Sequence, residues 1–165
     1  PKSQQFDPPP RRRSPPGEDR GYGQPRGAKL YAIGLACMRA GEYEPAIDFL
    51  ERANTEDRGW PGRGLPQPVL AITHRYAGDT AQAQAALEST DQQYDEWVRQ
   101  MERDPLGRLP IPWFDWTEFV TLRSEAHRLI LGKPPKEDQR LVSLEAHARS
   151  RITQGQAASD WPPAE

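Results

Sequence analysis

Cysteine occurs once in this 165-residue sequence, at Cys37, so no intramolecular disulfide can form. Such a chain suits a reducing compartment, and a cytoplasmic location is expected. Cys37 falls among apolar helix residues, where a free thiol serves as a small hydrophobe. Long apolar runs are also missing: none approaches the ~20 residues that a membrane-crossing helix needs. No secretory leader and no initiator methionine is visible, so a chain that starts inside a proline-rich stretch is expected to be part of something longer. Hydrophobic residues make up only 35% of the chain, and the net charge of −2 argues for neither nucleic acid nor a membrane surface as partner.

Proline is what the sequence has in plenty, and it is unevenly placed. Of 18 prolines, seven fall between Pro1 and Lys29. The same stretch carries Lys2, Arg11, Arg12, Arg13, Arg20, Arg26 and Lys29 against Asp7, Glu18 and Asp19, a net of +4, which leaves −6 for the remainder. Residues 1–27 hold almost no aliphatic side chains and cannot bury enough apolar surface to offset the entropy of ordering, so they are expected to be a disordered Pro/Arg-rich linker. Within them PPPRRRSPP has the composition of a docking peptide for a proline-reading domain, and Ser14 behind three arginines that of a phosphorylation site. A plain solvated linker explains the same composition.

Beyond residue 27 the pattern turns helical. Leu30, Ile33, Leu35, Cys37 and Met38 give one apolar face, ended by Gly41. A second helix follows after a two-residue break, with Pro45 in its first turn and Ala46, Ile47, Leu50 and Ala53 at helical spacing. So short a break forces an antiparallel hairpin. Residues 56–66, EDRGWPGRGLP, have three glycines and two prolines and are expected to be a loop. A third helix from Pro68 ends at Gly78, and Asp79 with Gln82 resembles a capping box ahead of a long fourth helix reaching Arg103. After DPLGRLPIP, Asp115 and Glu118 make a second capping pair for a fifth helix, stopped by Gly132. A sixth is expected over 137–153, with Leu141, Leu144, Ala148 and Ile152 in line, and residues 154–165 are expected to be a flexible tail. Nothing alternates at period two, so no sheet is expected.

The first two hairpins repeat. When Gly41 is set on Gly78, Ala46 falls on Ala83, Leu50 on Leu87 and Gly34 on Ala71. Small residues recur where helices must approach closely, and large ones where they fill the gap. This resembles the tetratricopeptide repeat, a helix pair of about 34 residues with a small residue in its first helix, a turn glycine, and alanines near the start and end of its second. Departures are visible: the two glycines are 37 residues apart, Arg58 stands where the family has proline, and Thr90 replaces the last alanine of the second unit. HRYAGDTAQAQAAL and PWFDWTEFVTLRSEAHRLI further resemble the C-terminal repeat region of large planctomycete proteins, where such repeats follow serine/threonine kinase or β-propeller domains. None of the kinase's own motifs is present. The resemblance implies an all-α fold, about six helices in stacked antiparallel hairpins forming a short right-handed solenoid over residues 28–153.

A convergent catalytic set is not visible. His74, His127 and His147 have no His or Cys partner at metal-ligand spacing, and Glu125 lies on another side of its helix from His127. Neither a phosphate-binding glycine loop nor a G-x-S-x-G elbow occurs. The adjacent carboxylates Glu42 with Glu44 and Asp95 with Glu96 cannot flank a scissile bond as a glycosidase pair must. No catalytic residue, metal or cofactor is therefore assigned. Trp113, Phe114, Trp116 and Phe119 could form an exposed platform, but a chain with few large apolar residues is expected to spend them on its core.

In a repeat scaffold the first helices line the binding groove. The residues expected there are Tyr31, Leu35, Met38 and Arg39 from one helix and Ile72, Arg75 and Tyr76 from the next. The family's chaperone-carboxylate clamps carry Lys and Asn where this sequence has Tyr31 and Leu35, so a short amphipathic peptide or protein segment is the better-suited ligand. The expected function is non-catalytic protein binding. A capping role within a larger assembly, packing against an upstream domain of the same chain, or regulation of an upstream kinase are the alternatives.

Overall fold

The computed structural model describes residues 26–153. Six helices follow in order: α1 (Arg26–Ala40), α2 (Tyr43–Glu56), α3 (Pro66–Tyr76), α4 (Thr80–Arg103), α5 (Trp113–Leu131) and α6 (Gln139–Thr153). No strand occurs among the described residues, and the fold is all-helical and repeat-like. Residues 1–25 and 154–165, expected as linker and tail, lie outside the described residues, as does the side chain of Ile152. Arg26 and Gly27, placed by composition at the linker's end, belong to α1.

The α1–α2 and α3–α4 hairpins share one turn. Gly41 N–H donates to Met38 O at 3.1 Å and Glu42 N–H to Cys37 O at 2.9 Å; Gly78 N–H donates to Arg75 O at 3.3 Å and Asp79 N–H to His74 O at 2.9 Å. The glycines take φ values of 82° and 86°, a left-handed conformation that costs other residues ~1–2 kcal/mol. Asp79 then caps α4, its Oδ1 accepting from Gln82 N–H at 3.0 Å, whereas Glu42 caps nothing with its side chain. Within each hairpin the aligned small residues are buried: Ala46 and Ala53 on α2, Ala71 on α3, Ala83 on α4. Gly34 makes the closest approach. A Cβ there would lie 2.7 Å from Leu50 Cγ and 3.2 Å from the Ala46 carbonyl oxygen.

Two segments differ from expectation. Residues 56–66 are core as much as loop: Trp60 and Leu65 are buried, α3 already starts at Pro66, and the Trp60 ring lies 5.9 Å from that of Tyr31. Trp60 is wedged so tightly that a Cβ on Gly27 would fall 2.5 Å from its ring, and one on Gly62 2.7 Å. The glycines that suggest an open loop serve close packing instead. The expected Asp115–Glu118 capping pair does not form. Helix α5 starts at Trp113 behind Pro112, with no side-chain cap, so Asp115 sits in the first turn and Glu118 is free to bond elsewhere.

Helix α3 is the centre of the fold, packed against α1, α2, α4 and α5. Among the described helices, α6 packs on α4. Leu141 and Leu144 reach the core edge while Ala148 stays exposed, which shortens the expected apolar line. Arg140 fastens this helix, bridging Asp138 at 2.6 Å and Asp95 at 2.7 Å. The hydrogen bonds from Arg140 hold the Asp138 carboxyl below the ordinary aspartate range.

Two outcomes are expected. Gly34→Ala gains up to ~1 kcal/mol of helix propensity but forces a methyl into buried Leu50, and overpacking of this kind costs ~1–3 kcal/mol. A net loss is expected in urea unfolding followed by circular dichroism; an unchanged or higher midpoint refutes the close approach. For Asp138, the unfolded carboxyl titrates near ~3.9 and the native one lower. Its stabilisation is therefore complete above that pH and drains as pH falls through the native value. Hydrogen-exchange protection of α6 should drop in acid, and Asp138→Asn should remove most of that dependence while lowering protection at neutral pH.

Candidate functional site

Helix α3 packs against both α1 and α5, while α1 and α5 meet only through side chains. A trough is left between them, with α3 beneath. One crevice of about 380 Å³ lies between Arg39 and the α5 flank that bears Trp113, Phe114, Thr117 and Thr121. A second, of about 430 Å³, is bounded by Met38, Tyr43, Tyr76 and Glu125. Arg39, Leu122 and Glu125 line both, so the two are continuous.

Of the seven residues expected in the groove, Met38, Arg39 and Tyr76 line this trough. Leu35 is half-buried against the core, and Arg75 is exposed but outside both crevices. Tyr31 and Ile72 are buried and present nothing to a ligand. The reason is the third first-helix: α5 covers the face of α1 and α3 that the two hairpins alone would leave open. The Tyr31 hydroxyl donates to Glu118 Oε1 at 2.8 Å across that contact. Burial, then this bond to a carboxylate, push the hydroxyl far above the ordinary tyrosine range.

The aromatic stretch divides between core and surface. Phe119 is fully buried, 4.7 Å between centroids from Trp97, and Trp116 stacks on Tyr94 at 5.7 Å. Trp113 and Phe114, expected in the core, are 71% and 56% exposed at one end of the trough. At the other end Tyr76, 50% exposed, stacks on Tyr43 at 5.9 Å. Along the α5 wall, Glu118 and Glu125 supply carboxylates. Burial, then the neighbouring Glu118, push the Asp115 carboxyl above its ordinary range. Arg39 has no ion-pair partner among the described residues. From the sequence, Trp113 and Phe114 are expected in the core, and Leu122 and Glu125 are given no groove role. Treating the fifth helix as a further groove-lining first helix is the signal that finds them.

The histidines do not converge. His127 is buried, with Nε2 2.9 Å from Asp91 Oδ1; a carboxylate only accepts, so Nε2 carries the proton. Arg123 Nε donates to the same oxygen at 2.7 Å, and its guanidinium lies 4.0 Å from the Tyr94 ring centre. This cluster clamps α5 to α4. Among the described residues no group of three or more His, Cys, Asp or Glu side chains is placed to hold a metal ion, and no helix is long and apolar enough to cross a membrane. A polar crevice of about 420 Å³ on another face is lined by Asn54, Gln67, Gln93 and Glu96, and there Asn54 Oδ1 is buried without a hydrogen-bond partner among the described residues.

The chain matches no protein-family model, no curated protein and no solved structure. The reading of the trough therefore stands on its geometry.

Tyr31→Phe should keep the helical content and lower stability, since hydrogen bonds to charged groups contribute ~1.5–3 kcal/mol. Amide exchange in α5 should quicken more than in α2. Equal stability of the two proteins in urea would show that the Tyr31–Glu118 bond does not hold α5 in place.

Proposed function

We propose that this chain is a tetratricopeptide-like scaffold that binds an extended peptide or protein segment in the trough between α1 and α5, without turnover. The observation that carries this reading is the trough itself. Large aromatic surface is left in water at both of its ends, while Tyr31, Trp60, Tyr94, Trp97 and Phe119 are buried. Exposed aromatic anchors around a preformed cleft are what peptide recognition uses, because they bring contact area with little rotamer entropy to lose. Arg39, which has no ion-pair partner among the described residues, and the α5 carboxylates add orientation. The sequence resemblance supports a place within a larger cytoplasmic signalling protein.

A second reading, a capping role in a larger assembly, is favoured by a different feature. Leu106, Leu109, Leu131 and Val142 are also exposed, and they belong to the α4–α5 connection, the end of α5 and α6.

Selection from a random peptide library against the full chain separates the two. A selected peptide should shift the resonances of Trp113, Tyr76 and Leu122. Arg39→Ala, Tyr76→Ala and Trp113→Ala combined should weaken it at least ~10-fold, or ~1.4 kcal/mol, with an unchanged circular dichroism spectrum. Failure to select any peptide, or shifts confined to Leu106, Leu131 and Val142, would sink the trough reading and leave the capping one.

A further inference from the structure

We infer that the occupant of the trough is a segment of the chain itself: residues 8–16, PPPRRRSPP, dock between α1 and α5. This rests on the peptide-binding reading above and names its ligand as a proline–arginine segment supplied in cis.

The first argument is a match of chemistry in order. The segment has two proline clusters flanking three arginines. The trough has two aromatic clusters, Trp113–Phe114 and Tyr43–Tyr76, with the carboxylates Glu118 and Glu125 along the wall that joins them. Proline rings pack on aromatic faces, and proline-rich segments lose little entropy on docking because their backbone is already restricted. The lengths agree as well. Pro9 to Pro15 spans about 19 Å at ~3.1 Å per residue of polyproline geometry. Along α5, Trp113 to Glu125 spans about 18 Å at 1.5 Å per residue.

Charge is the second argument. Residues 1–25, ahead of α1, carry a net +2 and the remainder −4. Locally, among the described residues, Arg39 is the one cation lining the two crevices, against Glu118 and Glu125. An acidic peptide would find one arginine there and two carboxylates beside it. A basic one finds the reverse.

Reach is the third. Ten residue steps separate Pro16 from Arg26, the start of α1, and extend to about 33 Å at ~3.3 Å each. From Arg26 to Arg39 the helix rises only about 20 Å. The tether is long enough to lay the segment in the trough without strain.

The test uses the full-length chain with Cys37→Ala and Gly17→Cys, spin-labelled at position 17, just past the segment. With the label oxidised, the Trp113 indole N–H signal should lose most of its intensity, and it should recover when the label is reduced. Adding Arg11→Glu, Arg12→Glu and Arg13→Glu should abolish that loss. Independently of any cysteine change, the same triple charge reversal in the otherwise native chain should shift the Trp113 indole signal and tighten binding of a library-selected trough peptide, by removing its competitor. An unbroadened Trp113, or equal broadening in the charge-reversed chain, overturns the proposal. So does broadening that appears when a labelled chain is mixed with an unlabelled, isotope-enriched one, because the occupant is then a second copy. A selected peptide that fills the trough while Trp113 ignores the label overturns the cis occupant alone and leaves the peptide-binding reading standing.

Discussion

Helix α3 has to begin inside the core, and the rest of the structure depends on how it does so. A helix N-terminus exposes four backbone N–H groups with no partner in their own helix, and each one buried unsatisfied costs ~1–3 kcal/mol. Pro66 and Pro68 are both fully buried in this first turn, and neither has an N–H to satisfy. The donors between and before them are used locally, Gln67 N–H to Gly64 O at 3.2 Å and Leu65 N–H to Gly62 O at 2.8 Å. With its polar start silenced, α3 can be covered by four neighbours. Thr73, the buried polar side chain further along, returns its hydroxyl to Val69 O at 2.7 Å. The glycine-rich stretch before α3 thus serves a buried helix start, and Trp60 fills the space over it.

The same economy explains how the two hairpins differ. Both use a left-handed glycine and a buried alanine one turn into the second helix. In the first, Gly34 lets Leu50 approach the α1 backbone, while in the second Ala71, at the matching place in the sequence, is buried, as is Leu87. Helix α5 then follows the long α4 and is fixed by two polar ties at different depths. The Asp91–Arg123–His127 cluster holds it to α4, and the Tyr31–Glu118 bond holds it to α1. Both ties are partly buried, where hydrogen bonds to charged groups weigh most. They keep α5 close enough to cover Tyr31 and to pack on α3, yet leave its Trp113 flank exposed.

That gap gives the trough its character. Phe119 and Trp116 face inward and join Trp97 and Tyr94, so the inner face of α5 is spent on the core. Trp113 and Phe114 begin the helix beyond the point where α4 and its partners can cover them. Their exposure is a consequence of where α5 starts, nearly two turns ahead of Phe119, its first buried aromatic. The α5 carboxylates face the same space, which joins apolar contact area to negative charge in one cleft.

Much of the fold was legible in the sequence, for reasons that are local. The spacing of Leu30, Ala46, Leu50, Ala83 and Leu87 sets helical faces, Gly41 and Gly78 set the turns, and Asp79 with Gln82 sets the start of α4; each signal acts within a few residues and needs no partner from afar. The aligned small residues also told which faces meet. What only the tertiary structure decided depends on contacts between distant segments. Whether Trp60 is loop or core turns on Gly27 and Tyr31, and whether Tyr31 faces a ligand turns on α5. Trp113 and Trp116 lie in one turn of one helix with the same intrinsic preference for burial, yet Trp116 finds Tyr94 and Trp97 while Trp113 finds water. Periodicity specifies a helix and its apolar face, but the neighbour that covers that face, and how far along it reaches, is fixed only when the helices pack.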